Sequence, residues 1–427
     1  MKILKLTAYG YPEQTAGRTI GSNLIDAFVI QGWDIVTYTP TPSRGLSNET
    51  IRLYRGKAYR TVISMDGHHI LHRFLMFKES SNPLFRALRY LFCAWKQFNR
   101  ALFAKDARGC DVMFIYSTPP IQGAMAAMVK KFRKDIILIY NLQDIFPDSL
   151  SGTGLAVKGG ILWKIGRVIE NFTYRNADKI IVISNDFKNN IMAKGVPDKK
   201  IEVIYNWVDE HIIVDVPRID NKLFDLYHLD RNKFYITYSG NIGLTQNMDL
   251  LLAALEELET EAPDIILVLI GDGAYKENVV KIIDGIVCKD GKIRGNKLSN
   301  VIMLPFQPYE DIASVFSLGD AGLIISKPGV GANSVPSKTW NIMSASRPIL
   351  ASFDENELKN IIEDNQCGIF TKAGDKDAFK DAILTLYNDS SLCKEMGKNG
   401  RQFVMNNLTK EIGTQKYVNV IKQFEKR

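Results

Sequence analysis

Cysteine is scarce in this chain. Cys93, Cys110, Cys288, Cys367 and Cys393 are odd in number, far apart and without metal-ligand spacing. A disulfide scaffold or a zinc module is thereby excluded, and free thiols in a reducing cytoplasm are expected. No run of about 18 uncharged apolar residues occurs, so no membrane-spanning helix is expected. The opening Met1-Lys-Ile-Leu-Lys does not read as a signal peptide, because Lys5, Gly10 and Pro12 interrupt a short apolar stretch. Histidine is limited to His68, His69, His72, His211 and His228, none of them expected to follow a strand. No H-E-x-x-H, P-loop or G-x-S-x-G motif is present, which removes zinc proteases, P-loop NTPases and serine hydrolases. The only D-x-D, Asp375-Lys-Asp377, reads as a helix cap rather than a metal site.

What is there is globular: 427 residues, 46% hydrophobic and 24% charged. At roughly 150 residues per domain, two or three domains are expected. The net charge of +7 is uneven, since residues 51–110 hold twelve Lys/Arg against three Asp/Glu. One segment therefore makes the protein basic.

Short apolar runs alternate with helical patterns. Strands are expected at 3–8, 34–38, 111–116, 136–141, 179–183 and 201–204, with helices at 20–31, 120–132 and 161–176. A polar stretch, 209–232, interrupts the rhythm. It resumes with strands at 235–239, 265–270, 301–304, 321–325 and 349–352, interleaved with helices. Continuous rather than alternating apolar runs mark strands buried on both faces of a parallel sheet. Two βαβ arrays imply an α/β chain of two Rossmann-like doubly wound domains facing a cleft. The division expected is 1–207 as a first Rossmann-like domain carrying a basic amphipathic segment (52–108), 208–233 as linker, 234–405 as a second Rossmann-like domain, and 406–427 as a helix packing back on the first domain. Residues 286–300 read as a basic loop insertion.

In such folds chemistry belongs to the loops after strands. The first, Tyr9-Gly-Tyr-Pro-Glu-Gln-Thr-Ala-Gly-Arg, contains Gly17 and Arg18, and its Glu13 and Arg18 place charge where a plain turn has no use for it. It lacks the G-x-G-x-x-G spacing of nicotinamide enzymes. The loop Asn141-Leu-Gln-Asp-Ile-Phe-Pro-Asp puts Asp144 and Asp148 at a strand's carboxyl end. A carboxylate there can take a proton from an acceptor hydroxyl or steady positive charge on a sugar ring. Tyr238-Ser-Gly-Asn-Ile-Gly-Leu-Thr-Gln offers Gly240 and Gly243 as room for a diphosphate, with Asn241 and Gln246 beside them. Gly271-Asp272-Gly273 and Leu304-Pro-Phe306-Gln-Pro are turns of the same kind.

The most informative stretch runs from Lys327 to Ala351: Lys-Pro-Gly-Val-Gly-Ala-Asn-Ser-Val-Pro-Ser-Lys-Thr-Trp-Asn, then Arg347-Pro-Ile-Leu-Ala. A Gly-rich loop leads into a helix start, with Ser337 available as cap. A lysine there opposes the helix dipole unless an anion is present, so Lys338 is expected to counter the charge of a leaving nucleotide. Residues 84–105 place Phe85, Leu88, Leu91, Phe92, Trp95, Phe98, Leu102 and Phe103 on one helical face, flanked by Arg86, Arg89, Lys96 and Arg100. That is the pattern of a helix on an anionic membrane surface, and also of a core-facing helix with a basic edge. The segregation of basic from aromatic residues disfavours nucleic acid.

At residues 141–148, 238–249, 271–273, 304–308 and 334–351 the chain resembles the family-4 glycosyltransferases of the two-domain GT-B class, in the O-antigen and capsule branch that includes fucosamine and colanic-acid transferases. The resemblance implies transfer of a sugar, with N-acetylated deoxysugars among the candidates, from a nucleotide diphosphate, UDP by default, with retention at the anomeric carbon. It implies no metal and no cofactor. The acceptor implied is an undecaprenyl-diphosphate-linked saccharide, and the location the inner face of the cell membrane, held peripherally from the cytoplasm through residues 84–105. Asp144 and Lys338 are the expected catalytic residues. Gly17, Arg18, Asp148, Gly240, Asn241, Gln246, Gly271, Asp272, Phe306, Asn333, Ser334, Ser337, Asn341 and Arg347 are expected to bind substrate. The family's paired glutamates are replaced by Asn333 and Asn341, neutral readers of hydroxyls. Two other readings remain: a sugar-nucleotide epimerase of the same fold, and a non-catalytic partner in polysaccharide assembly.

Overall fold

The protein, seen in a computed structural model, is described over residues 1–13, 18–80, 82–149, 159–285, 297–331 and 335–425. It divides into two compact units, Met1–Tyr205 with Glu411–Arg427, and Asn206–Lys410.

The first unit is built on eight strands: β1 (Lys2–Leu6), β2 (Asp34–Pro40), β3 (Thr61–Ser64), β4 (His69–Phe74), β5 (Val112–Tyr116), β6 (Ile137–Leu142), β7 (Lys179–Val182) and β8 (Ile201–Val203). Their order is β3-β4-β2-β1-β5-β6-β7-β8, and only β3 runs antiparallel to its neighbour. Ile3, Leu4, Leu6, Val112, Met113 and Ile115 have essentially no exposed surface, as expected of strands covered on both faces. Lys5 interrupts β1. Its ammonium donates to the Gly21 carbonyl at 3.0 Å, and burial, partly offset by Asp26, lowers its pKa to about 8. Strands β3 and β4 lie inside the basic segment, where no strand was expected. The sequence of β4, His-Ile-Leu-His-Arg-Phe, spreads its apolar residues among polar ones that are nonetheless inward: His69 and Arg73 are buried. The helix Lys410–Lys422 enters this unit from Glu411 onward, and Tyr417 packs fully buried against Phe114, ring centroids 6.0 Å apart.

The second unit holds β9 (Phe234–Asn241), β10 (Ile265–Asp272), β11 (Val301–Leu304), β12 (Ala321–Ile325), β13 (Ile349–Phe353) and β14 (Gly368–Lys372). The order β11-β10-β9-β12-β13-β14 is entirely parallel and reverses direction between β9 and β12. Its sheet is covered in part by helix Met248–Glu261, where Leu251, Leu255 and Leu258 recur at helical spacing with no exposed surface. Each such leucine contributes about 1.5–3 kcal/mol of burial. The stretch expected as linker, 208–233, belongs to this unit. Leu223 and Phe224 are buried in a cluster with Tyr235 and Val268, which the surrounding polar residues conceal in the sequence. Residues 286–296 of the expected insertion lie outside the described residues. Asp375 caps helix Lys376–Asn388 by accepting from the Ala378 amide at 3.0 Å. Among the described residues no helix is long and apolar enough to cross a membrane.

Candidate functional site

In the second unit, helix-bearing loops diverge between β9 and β12, the position where doubly wound sheets take ligands. Gly240 (φ 141°) is the penultimate residue of strand β9, and β10 closes on Gly271-Asp272, followed by Gly273. The two ends run so close that a Cβ on Gly271 would stand 1.9 Å from the Gly240 carbonyl oxygen. Glycine is therefore required there for packing of backbone on backbone.

Lys338 opens helix Lys338–Ser344 and points at this place. Its Nζ lies 3.7 Å from the centroid of the Tyr238 ring and 3.0 Å from where a Gly240 Cβ would be. Tyr238 is buried and fixed by its hydroxyl, which donates to the Asn241 carbonyl at 2.6 Å. Burial pulls the Lys338 pKa down to about 7. Among the described residues no carboxylate pairs with this ammonium. The aromatic face compensates only part of the lost hydration, so an anion has much to gain here.

The Gly-rich loop between β12 and this helix is shaped from behind. Asp354, just after β13, accepts from the amides of Gly329 (2.9 Å) and Gly331 (2.7 Å), and the Asn356 amide donates to the Gly331 carbonyl at 2.8 Å. The Lys327 amide donates to Thr245 at 2.8 Å, tying the loop after β12 to the loop after β9. Tyr238, Asp354 and Asn356 were absent from the expected set. The tyrosine stands two residues before a glycine at a strand end, which is a readable signal, whereas nothing in the sequence links Asp354 to a loop more than twenty residues earlier.

The other residues expected here fall into several situations. Asn241, Asp272 and Phe306 are exposed at strand ends. Asn341 is half-buried with its side-chain amide unpartnered among the described residues. Gln246 turns its carbonyl onto the Gly243 amide at 3.0 Å and closes its own loop. Ser337 occupies the cap position with helical angles (φ −60°, ψ −24°) and makes no capping bond, contrary to its expected role. Arg347 is a larger correction. Its guanidinium donates to the carbonyls of Gly319 (2.7 Å) and Ser317 (3.0 Å) and pairs with Asp215 at 2.9 Å, so it fastens the residues before helix Leu223–Leu226 to the sheet. With those donors engaged it has little left for a diphosphate. Asn333 and Ser334 lie outside the described residues.

In the first unit, Glu13 is buried and accepts from the amides of Gly10 (3.0 Å), Ser43 (2.8 Å) and Arg44 (2.9 Å). The charge that looked superfluous in a turn joins the loops after β1 and β2. Gly17 lies outside the described residues, and Arg18 is described only as the backbone start of helix Arg18–Ile30. Asp144 sits half-buried after β6. Burial raises its pKa, against hydrogen bonds from the Ser149 hydroxyl and the Ile145 amide, and its own amide donates to Ser117 Oγ at 3.1 Å. Asp148 corrects its expected role. It takes hydrogen bonds from Lys194 (2.7 Å) and Asn190 (3.2 Å), and Lys194 also pairs with Glu170 at 2.9 Å. Burial would raise Asp148, but these donors outweigh it and hold the carboxyl below its usual range. Asp148 anchors the loop to helix Asn185–Ala193. His69, bonded to Thr37 at 3.0 Å, is lowered to about 4 by burial together with Lys5 and Arg73, so it is neutral.

The basic helix, Pro83–Phe103, packs one side on its unit and leaves most of its large apolar side chains exposed. The side on the unit's core carries Arg89, Cys93, Ala94, Gln97 and Ala101. Leu84, Phe85, Leu91, Phe92, Trp95 and Phe103 are between 51% and 71% exposed. Phe98 and Leu102, expected on that face, pack against the core, and Arg89, expected at the edge, is buried and donates to the Phe77 carbonyl.

Comparison with known proteins matches residues 22–211 to the model described as Glycosyltransferase Family 4, and residues 221–403 to that described as Glycosyl transferases group 1. The chain is 29% identical over 213 residues to the putative colanic acid biosynthesis glycosyl transferase WcaI of Escherichia coli K12, spanning 48% of each, about half of that relative's length. It is 26% identical over 286 residues to the probable glycosyltransferase WbjE of Pseudomonas aeruginosa, 67% of this chain and 68% of that one. Anabaena HepE, solved in complex with UDP-glucose, shares the fold with a TM-score of 0.69 at 17% identity, over 99% of this chain and 100% of that one. With two doubly wound sheets, a Family 4 region and a group 1 region in succession, the chain belongs to the GT-B glycosyltransferases.

Proposed function

We propose that the protein is a retaining glycosyltransferase that moves a sugar from a UDP-linked donor to an undecaprenyl-diphosphate-linked saccharide in bacterial O-antigen or capsule synthesis. One observation carries the donor half: the Lys338 ammonium beside Gly240, half-desolvated and without a carboxylate partner among the described residues. A diphosphate supplies the missing counter-charge. In the transfer the bond from the anomeric carbon to the leaving phosphate breaks on the face where the acceptor oxygen bonds. The leaving phosphate takes the acceptor's proton, and Lys338 stabilises the departing UDP. Asp144, its pKa raised by burial, steadies charge on the acceptor side. The names of WcaI, for colanic acid, and of HepE with UDP-glucose favour this substrate class. The outward apolar face of helix Pro83–Phe103 suits a protein working peripherally at the inner face of the membrane, where a lipid-linked acceptor resides.

Calorimetric titration of UDP tests the donor site. Lys338→Met is expected to weaken binding at least tenfold, about 1.4 kcal/mol. The ammonium is the binding form and titrates near pH 7 in the free protein. Wild-type affinity is therefore expected to fall as the pH rises from 7 to 9, and Lys338→Met to lose that dependence. Asp144→Asn is expected to lower transfer while leaving UDP affinity unchanged. Failure of the wild-type protein to bind any nucleoside diphosphate sinks the proposal.

A further inference from the structure

The first unit contains a cavity of about 860 Å³. Neither Glu13 nor Asp144 lines it. Its volume is that of a small-molecule site. Its walls come from strands β2, β3 and β4, the turn before β3, helix Pro83–Phe103 and helix Lys105–Arg108.

The lining is strongly cationic. Arg60, Lys96, Arg100 and Lys105 all face it, and among the described residues none of them has an acidic partner. Lys96 donates one proton to the Leu75 carbonyl at 2.7 Å and keeps the others. Lys96 and Arg100 are one helical turn apart, a like-charge arrangement that works against the helix. The end of the helix at Phe103 favours Arg100, but it does nothing for Arg60, which arrives from another element. Asp106 is the only carboxylate on the wall, and both of its oxygens are occupied. It accepts from the Tyr38 hydroxyl and bonds His72 Nε2, each at 2.7 Å, and takes the Ala107 amide at 2.9 Å. The cations therefore outnumber the one carboxylate on the wall, whose oxygens are already engaged by Tyr38, His72 and the Ala107 amide.

The mouth is apolar. Trp95 and Phe103 line the cavity and are 60% and 71% exposed, and they continue the outward face that includes Leu91 and Phe92. A soluble anion needs the cations but not this collar. An amphiphile needs both, with its phosphate among Arg60, Arg100 and Lys105 and its chains following Trp95 and Phe103 outward.

We infer that this cavity is a binding site for the phosphate headgroup of an anionic glycerophospholipid, which fixes the first unit on the bilayer at a defined position. The inference builds on the membrane-contact reading, and the two are separable. Soluble dihexanoyl-phosphatidylglycerol tests the cavity without a membrane. The full-length protein is expected to bind it saturably, and Arg60→Glu with Arg100→Glu to weaken it at least tenfold. Arg52→Glu with Lys57→Glu moves the same charge on exposed residues outside the cavity and is expected to change affinity less than threefold. Equal losses in the two pairs would reduce the effect to diffuse attraction and overturn the site. Binding of inorganic phosphate as tight as that of the lipid would overturn the lipid assignment, as would no saturable binding. With vesicles, Phe85→Glu with Phe92→Glu is expected to weaken binding to phosphatidylcholine alone and to mixtures containing phosphatidylglycerol. The Arg60 and Arg100 pair is expected to lose only the increment due to phosphatidylglycerol. Wild-type indifference to both vesicles would fell the membrane reading and leave the soluble-lipid result to judge the cavity.

Discussion

Helix Met248–Glu261 in the second unit and helix Pro83–Phe103 in the first are both amphipathic, and they face opposite ways. The former turns Met248, Leu251, Leu255 and Leu258 inward and leaves glutamates outside. The latter packs on its unit mainly with small and polar residues, Cys93, Ala94, Gln97 and Ala101, joined by Phe98 and Leu102, and turns most of its large apolar side chains outward. Helical periodicity marks that a face exists. Which side meets the protein is decided by size and shape: Ala94 and Ala101 let the helix lie close to the sheet, and Gln97 bonds the carbonyls of Thr7 and Tyr38 at 2.8 and 3.3 Å.

The contrast is open to direct attack, in descending order of expected effect. Leu255→Ala removes a fully buried side chain and is expected to destabilise the second unit by about 2–5 kcal/mol in urea unfolding. A loss below about 1 kcal/mol would deny that face its place in the core. Ala94→Leu on the packed side of helix Pro83–Phe103 is expected to cost about 1–3 kcal/mol by overpacking. If it is tolerated without loss, the small residues are not what sets the orientation. Phe85→Glu with Phe92→Glu on the outward side is expected to leave stability within about 0.5 kcal/mol, since both are more than half exposed. A melting temperature lowered by many degrees would show that this face is packed after all.

A finer test concerns two lysines withdrawn from water. Lys5 has the Gly21 carbonyl and Asp26 to answer it, whereas Lys338 has only an aromatic ring among the described residues. The Lys338 pKa is lowered, to about 7 from 10.5, so the unfolded chain binds more protons between these values. Stability of the nucleotide-free protein is therefore expected to rise with pH across that window, and Lys338→Met to flatten the rise by a small amount. An unchanged slope in thermal melts from pH 7 to 10 would show that the ammonium is well solvated.

Much of the framework is readable in the sequence because parallel strands covered on both faces must be apolar throughout. Ile265–Asp272 and Ala321–Ile325 are of this kind. Strand β4 escaped because its buried positions include His69 and Arg73, whose polar groups find partners in Thr37 and in the Tyr59 carbonyl that no local pattern reveals. The glycines of the loops after β9 and β10 were legible for the same local reason: Gly240 and Gly271 must be small where strand ends touch. The fate of charges was not. Arg347 and Asp148 look alike as free ions at loop ends, yet each is claimed by a partner distant in sequence, Asp215 or Lys194. A charge without a partner, such as Lys338, becomes distinguishable only once every neighbour has been placed.

The chain leaves the first unit at Tyr205 and returns to it at Glu411. During synthesis the whole second unit emerges while the first still lacks Tyr417, whose ring completes the packing beside Phe114 and Tyr116. The usual order, in which the leading domain finishes first, is thereby inverted. The earlier-made half must wait with an apolar seam open until the last helix arrives, and a ribosome stalled at residue 411 would carry a complete second unit attached to an unfinished first.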